Sequence, residues 1–380
     1  MPGLLEKNRD RSLKLVTILG ARPQFIKAAS VSRAIQQHNQ KNPGLAITEV
    51  LVHTGQHYDE NMSQVFFDEL EIQEPHHHLG VGSGSHGKMT GIMLEKIEEV
   101  LVTEEPDVVL VYGDTNSTLA GALAAVKLHL SVGHVEAGLR SFNRKMPEEI
   151  NRILTDHMSS YLFCPTNLAV DNLRKEGIRE NTFKVGDVMY DSFLFNRLLA
   201  EKKSDIIKRL NLVSGSYCLV TVHRQENTDN EERLANIFSA FNRLSTPGCP
   251  FILPLHPRTE NALRASKNVK YENPNLKIIP PVSYLDMVTL ETKAKVILTD
   301  SGGVQKEALF SQVPCITLRD ETEWVELVDR GFNTIAGADP EEICRAFATM
   351  IERKIPDDHD LYGGGQASEA IVKVIIERRT

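Results

Sequence analysis

The sequence predicts an α/β protein built from two doubly wound parallel-sheet domains. Three observations predict it. The chain has 380 residues, too many for one ordinary hydrophobic core and suited to two domains of about 150–200 residues. Short apolar runs alternate with longer segments of helical period, as expected of strands covered by helices on both faces. The runs also fall into two sets of six, and the openings of the two sets, VTILGARP and VTVHRQEN, resemble each other.

In order, the first set of strands is LKLVTIL (13–19), TEVLVHT (48–54), DVVLVY (107–112), VGHV (132–135), YLFC (161–164) and FKVG (183–186). The second set is YCLVTV (217–222), FILPL (251–255), LKIIP (276–280), KVILT (295–299), CITL (315–318) and NTIA (333–336). GKMTGIMLEKIEEVLVTE and NSTLAGALAAVKLHL are typical of the helical segments between them. The charged, strandless stretch around 191–213 is the expected hinge. This gives a first domain over 13–192 and a second over 193–362, with a terminal helix at 363–380 expected to pack back on the first.

Composition narrows the function. A formal net charge of −8 argues against nucleic acid as the main partner, because a phosphate backbone calls for a basic surface. Five cysteines scattered without a CxxC pair predict reduced thiols in a cytoplasmic protein. No apolar leader and no run of about 18 apolar residues is visible, so neither a signal peptide nor a membrane span is expected.

Parallel sheets bind ligands at the carboxyl ends of their strands, so the residues following each strand are the candidates. After the first come Arg22 and, one helical turn on, Lys27, a pair suited to an anion or an ordinary helix surface. After the third comes Asp114, either a helix cap shared with Thr115 and Ser117 or a ligand-facing carboxylate. Glu136 follows the fourth, with Arg140 its expected ion-pair partner. Glu148 and Glu149 open a helix after a proline, where carboxylates also complement the helix dipole. In the second half, His223 and His256 end successive strands, and Ser301-Gly302-Gly303 leads into a helix carrying Glu307. Small residues there let backbone N–H groups approach a phosphate. Two further patterns carry less. GSGSHG (82–87) fits a dinucleotide-binding spacing but no strand runs into it, and His76-His77-His78 lacks the spaced partners of a metal site. If the two sheets face a central cleft, Arg22, Asp114, Glu136, His223 and Ser301 gather there. Cations and backbone donors beside several carboxylates suit a nucleotide sugar.

GARPQFIK (20–27), VYGDTNST (111–118), HVEAGLRS (134–141), MPEEINR (146–152), VTVHRQEN (220–227), TDSGGVQKEA (299–308) and LRDETEWVE (318–326) together resemble the non-hydrolysing UDP-N-acetylglucosamine 2-epimerases. The resemblance spans roughly residues 13–355. It implies the GT-B fold of two Rossmann-like domains, a homodimer, and interconversion of UDP-GlcNAc and UDP-ManNAc with no cofactor and no catalytic metal. It places Arg22 and Lys27 at the UDP-sugar and makes Asp114, Glu136 and Glu148 the acid/base candidates. It sets His223 near the diphosphate, Ser301, Gly302 and Gly303 at the nucleotide, Glu307 at the ribose, and Val282 and Met287 at the uracil. The implied chemistry eliminates UDP to a 2-acetamidoglucal and adds it back after protonation of C2 from the other face. Three departures stand out. TGQHYDEN keeps Gln56 but has Asp59 where many bacterial members carry a second allosteric-site glutamine, and Trp324 replaces an arginine. GARPQFIK with GQHYD is also similar to relatives acting on UDP-2,3-diacetamido-2,3-dideoxyglucuronate. Glycosyltransferases of the same fold and a non-catalytic UDP-sugar sensor are the alternatives of another class.

Overall fold

A computed structural model of the chain describes residues 12–55, 67–356 and 361–378. Gln56 and Asp59 lie outside the described residues. The chain divides into two compact units, Met1–Ser192 with His359–Thr380, and Phe193–Asp358. One continuous helix, Val188–Lys203, carries the chain across the division.

The first unit holds a seven-stranded sheet: β1 Leu13–Leu19, β2 Ile47–His53, β3 His77–His78, β4 Val108–Tyr112, β5 Ser131–Val135, β6 Tyr161–Cys164 and β7 Thr182–Lys184. Its order is β3-β2-β1-β4-β5-β6-β7 and every pairing is parallel. Strand order therefore reverses between β1 and β4, where the loops after the two strands diverge and open a crevice. Both faces are apolar because both are covered. Val16, Ile18, Val109 and Val111 pack with Met93, Ile97 and Leu101 of the helix His86–Glu104 and with the alanines of Asn116–Lys127. The helix Ala367–Glu377 returns to this unit and lies against Arg22–Lys41.

The seventh strand was not expected. It is made by the last two residues of the histidine triplet, each member of which has a structural partner. Leu51 N–H donates to His76 Nδ1 at 3.0 Å, His77 meets Glu104 at 2.7 Å, and His78 packs edge-on against His53. GSGSHG runs into the helix that starts at His86, and no strand leads directly into it.

The second unit repeats the plan with six strands: β8 Cys218–Thr221, β9 Phe251–Pro254, β10 Leu276–Ile279, β11 Val296–Thr299, β12 Cys315–Thr317 and β13 Asn333–Ile335. The order β10-β9-β8-β11-β12-β13 is again all parallel, with its switch point between β8 and β11. Alternation along β8 sends Cys218 and Val220 into one core layer and Leu219 into the other. Cysteines distant in sequence meet here: the thiols of Cys218 and Cys249 lie 3.3 Å apart, both reduced.

His53, at the end of β2, is buried against Phe25 and His78. Burial, with His78 adding to it, lowers its pKa from 6.5 to about 4. Between those values the unfolded chain binds the proton and the folded chain does not, so stability falls as pH falls through the window. His53→Gln should flatten this part of the stability–pH curve in denaturant unfolding. An unchanged slope would assign the acid sensitivity to other groups.

Candidate active site

In the first unit the loops after β1 and β4 are locked together by one buried amide. Gln24 Oε1 accepts from the N–H groups of Gly20 and Ala21 at 2.7 and 3.0 Å. Its Nε2 donates to the Tyr112 carbonyl, Thr115 Oγ1 and Thr118 Oγ1 at 2.6–3.0 Å. Thr115 caps the helix Asn116–Lys127, accepting from Thr118 N–H. Asp114 is therefore not the cap. Its carboxylate is ion-paired with Arg152, and its own carbonyl accepts from Asn151 Nδ2 at 2.9 Å.

Glu136 follows β5 with a left-handed backbone, φ 76°, a strained conformation for a residue with a side chain. Its N–H and that of Ala137 both donate to the Phe163 carbonyl. The expected partner, Arg140, is elsewhere: the carboxylate of Glu136 pairs with Lys27, and both groups are largely buried. Gly113, at φ 64°, makes room for that pair, since a Cβ there would stand 3.3 Å from Glu136 Oε2 and 3.5 Å from Lys27 Nζ. The Lys27–Glu136 pair thus lies beside the loop that carries Asp114. Arg22, half-buried, is the first residue of the helix that supplies Lys27.

Glu148 and Glu149 take different roles although they are adjacent. Glu149 is buried and its carboxylate accepts from Ser141 N–H, Ser141 Oγ, Phe142 N–H and Arg152. Burial opposes its charge, but the Ser141 N–H and Arg152 outweigh that and hold its carboxyl below the ordinary range. Arg152 bridges Glu149 to Asp114, and those two carboxylates keep it charged despite its own burial. Glu148, about 100° round the helix, is half-buried in the first turn of Pro147–Met158.

Beneath these residues runs a network that motif reading does not reveal. His134 is fully buried, with Nδ1 2.7 Å from Asp156 Oδ1 and Nε2 2.7 Å from the Gly113 carbonyl. Each ring nitrogen thus faces an oxygen of a neighbouring turn or helix. Asp156 Oδ2 also accepts from Gly138 N–H at 3.1 Å and Arg140 at 2.7 Å, and Arg140 forks onto Glu176 at 2.7 and 2.6 Å. Burial works against ionisation of Asp156, yet His134 and Arg140 outweigh it and lower its pKa. One carboxylate thereby ties the turn after β4 to the turn after β5.

In the second unit Asp300 does the equivalent work. It is fully buried and accepts from the N–H groups of His223 and Arg224 and from Asn227 Nδ2 at 2.9–3.1 Å, fixing the loop after β8 to the end of β11. His223 stacks on His256 with centroids 5.1 Å apart. Burial lowers the pKa of His223; Asp300 opposes the shift, while His256, Arg224 and Arg258 add to it. Ser301 is the N-cap residue of Gly302–Phe310 and makes no side-chain cap, so the first turn keeps its backbone donors. Gly302 is there for space, since a Cβ would come within 2.4 Å of Glu323 Oε1. Gly303 follows in the same turn, and Tyr284 donates to Glu307 one turn on at 2.8 Å. Val282 and Met287 line the edge of the apolar layer beside them. Trp324 lies flat under the buried Lys306 ammonium, 4.1 Å from the ring centroid.

Residues 38–376 match the UDP-N-acetylglucosamine 2-epimerase family. The chain belongs to that family. It is 53% identical to a UDP-N-acetylglucosamine 2-epimerase homolog of Methanococcus maripaludis, covering 96% of this chain and 99% of the relative. It is 50% identical, with the same coverage, to the UDP-2,3-diacetamido-2,3-dideoxy-D-glucuronate 2-epimerase of Pseudomonas aeruginosa. Its structure superposes on the crystal structure of Methanocaldococcus jannaschii UDP-GlcNAc 2-epimerase in complex with UDP-GlcNAc and UDP. That match has a TM-score of 0.85 and 46% identity over 96% of this chain and 100% of the other. The two parallel-sheet domains are thus those of a GT-B epimerase. Among the described residues no helix is long and apolar enough to cross a membrane.

Asp156→Ala would leave the buried Arg140 with Glu176 alone and take the carboxylate away from His134 Nδ1. Removing one partner of a buried ion pair costs about 3–5 kcal/mol, and a loss of that size is expected in equilibrium unfolding. A loss under about 1 kcal/mol would place the network among weak surface pairs.

Proposed function

We propose that this chain interconverts UDP-N-acetylglucosamine and UDP-N-acetylmannosamine by elimination and re-addition of UDP. The observation that carries the reading is the paired arrangement in the first unit. Glu136 on Lys27 and Asp114 on Arg152 are two carboxylates held by cations around Gly113, with Glu148 on the neighbouring helix. Family membership and the UDP-GlcNAc complex of the Methanocaldococcus relative support it.

The C2 proton of the resting sugar is not acidic, so a base alone does not invert that centre. Breaking the C1–O bond gives C1 cationic character and makes the C2 proton removable. Loss of UDP and that proton yields 2-acetamidoglucal. Re-addition of UDP at C1, with C2 protonated from the opposite face, completes the inversion. C2 is inverted by proton transfer and not by hydride transfer, so the proposal needs no hydride carrier, and it assigns no catalytic metal. Asp114, Glu136 and Glu148 are the proton-transfer groups. Arg22, Lys27 and His223 stabilise the departing diphosphate, Ser301, Gly302 and Gly303 hold the nucleotide through backbone donors, Glu307 takes the ribose, and Val282 and Met287 flank the uracil. The first domain thus does the sugar chemistry and the second holds UDP. The proposal extends to a cytoplasmic homodimer that supplies nucleotide sugar for surface polysaccharide.

A second reading has a specific observation behind it. The Pseudomonas relative, at 50% identity, is named for a diacetamido-glucuronate substrate, so that UDP-sugar is the alternative. Proton NMR in D2O, without added metal or NAD, distinguishes the two. UDP-ManNAc deuterated at C2 is the expected product from UDP-GlcNAc. Turnover of the diacetamido-glucuronate substrate alone would transfer the proposal to that sugar, and binding without turnover of either would leave a sensor.

Glu136→Gln should lower kcat by about 10²–10⁴-fold, the usual worth of a general acid or base, while UDP affinity measured by calorimetry is kept. Near-normal turnover would remove Glu136 from the mechanism.

A further inference from the structure

The second unit buries a carboxyl group that the proposed chemistry does not use. Glu291 sits in the helix Tyr284–Thr292 at 0% exposure. Neither of its oxygens accepts a hydrogen bond. Glu291 lies two turns along its helix from Tyr284, on the same face, and that helix packs against Gly302–Phe310, where Tyr284 reaches Glu307. An ionised carboxylate in such a place has lost its hydration and gained nothing in exchange, so a lone buried acid gives up its charge instead. The groups around it reinforce this. Tyr217 commits its hydroxyl to the Leu290 carbonyl at 2.6 Å, so it does not serve Glu291. Burial raises the pKa of the Tyr217 phenol and the Cys315 thiol, and the charge of Glu291 would add to both shifts. Glu307 is provided for differently: its Oε1 accepts from the Tyr284 hydroxyl at 2.8 Å. Of the two carboxyls, Glu307 is therefore the one equipped to stay ionised.

We propose that Glu291 is a positioning residue. It keeps its proton and donates it as a hydrogen bond to the Glu307 carboxylate, so that Glu291 and Tyr284 together orient Glu307 to accept from ribose hydroxyls. The inference rests on the reading of Glu307 as the ribose carboxylate. Burial, followed by the charge and contact of Glu307, pushes the Glu291 carboxyl well above the ordinary range, in keeping with that role. Nothing is transferred: the shared proton stays on Glu291 while its neighbour recognises the sugar. A neutral acid serves here because a second carboxylate would repel Glu307, and an apolar residue would offer it no donor.

Two substitutions separate positioning from packing. Glu291→Gln keeps a neutral donor of the same shape, and Glu291→Leu fills the space without one. The readout is the affinity of the full-length protein for UDP relative to 2′-deoxy-UDP and 3′-deoxy-UDP, by calorimetry. The wild type and Glu291→Gln should prefer the intact ribose to the same degree. Glu291→Leu should lose about tenfold of that preference, as expected for a misdirected charged hydrogen bond, with its binding of the deoxy compounds little changed. Full ribose preference in Glu291→Leu would overturn the inference and leave Glu307 at the ribose. Equal loss in both variants would also overturn it, since the donor would then make no difference. A wild type that binds UDP and its deoxy analogues equally would instead sink the ribose reading of Glu307, and the inference with it.

Discussion

The active region of the first unit depends on Gln24. A doubly wound sheet necessarily parts its loops where strand order reverses, so the crevice that admits a ligand is also where backbone groups lose their neighbours. Gln24 closes that gap with one side chain. Its carbonyl oxygen takes two N–H groups from the loop after β1, and its amide nitrogen reaches the carbonyl and threonine hydroxyls after β4. The start of the helix bearing Arg22 and Lys27 is thereby fixed against the turn bearing Asp114.

Charges buried around the strand ends follow a second constraint: a buried carboxylate must meet a cation or a set of N–H donors, or give up its charge by taking a proton. Asp156 satisfies the rule with His134 and Arg140, and Glu149 with Arg152 and the backbone after β5. Asp300 satisfies it in the second unit with two backbone N–H groups and an asparagine. These carboxylates are at most 1% exposed and already committed, so they organise loops. The carboxylates assigned to chemistry, Asp114, Glu136 and Glu148, keep some exposure. Glu136 does so at the expense of its backbone, whose left-handed turn is a local strain of the kind that functional residues hold.

Substrate choice in this family is a question about a few groups set on that frame. Lys306 and Trp324 put a buried cation on an aromatic face in the unit assigned to the nucleotide, and Arg319 forms an ion pair with Glu323 against Gly302. Relatives of about equal identity are named for a neutral and for an acidic sugar. Global similarity therefore leaves the sugar to local chemistry.

Twelve of the strands were legible in the sequence, because an apolar run of strand length bounded by turn residues has few other places to go in an α/β chain. The two-residue edge strand at His77–His78 was not, since so short an element has no period of its own and exists only by pairing with β2. The motifs also located the loops that carry Asp114, Glu136, His223 and Ser301 and the helix start that carries Lys27, because a parallel sheet puts the carboxyl ends of its strands on one edge. Partnership was a different matter. Arg140 is four residues from Glu136 and pairs with Asp156 and Glu176, while Lys27, 109 residues away in the chain, is the partner of Glu136. Likewise the sequence put two glutamates at one helix start, and only the position of Arg152 and the Ser141 turn separated Glu149 from Glu148. Sequence thus determined which segments become strands and which residues stand at their ends. Tertiary structure decided which charges neutralise one another, because ion pairing is set by distance through space and by burial, and neither is local in the chain.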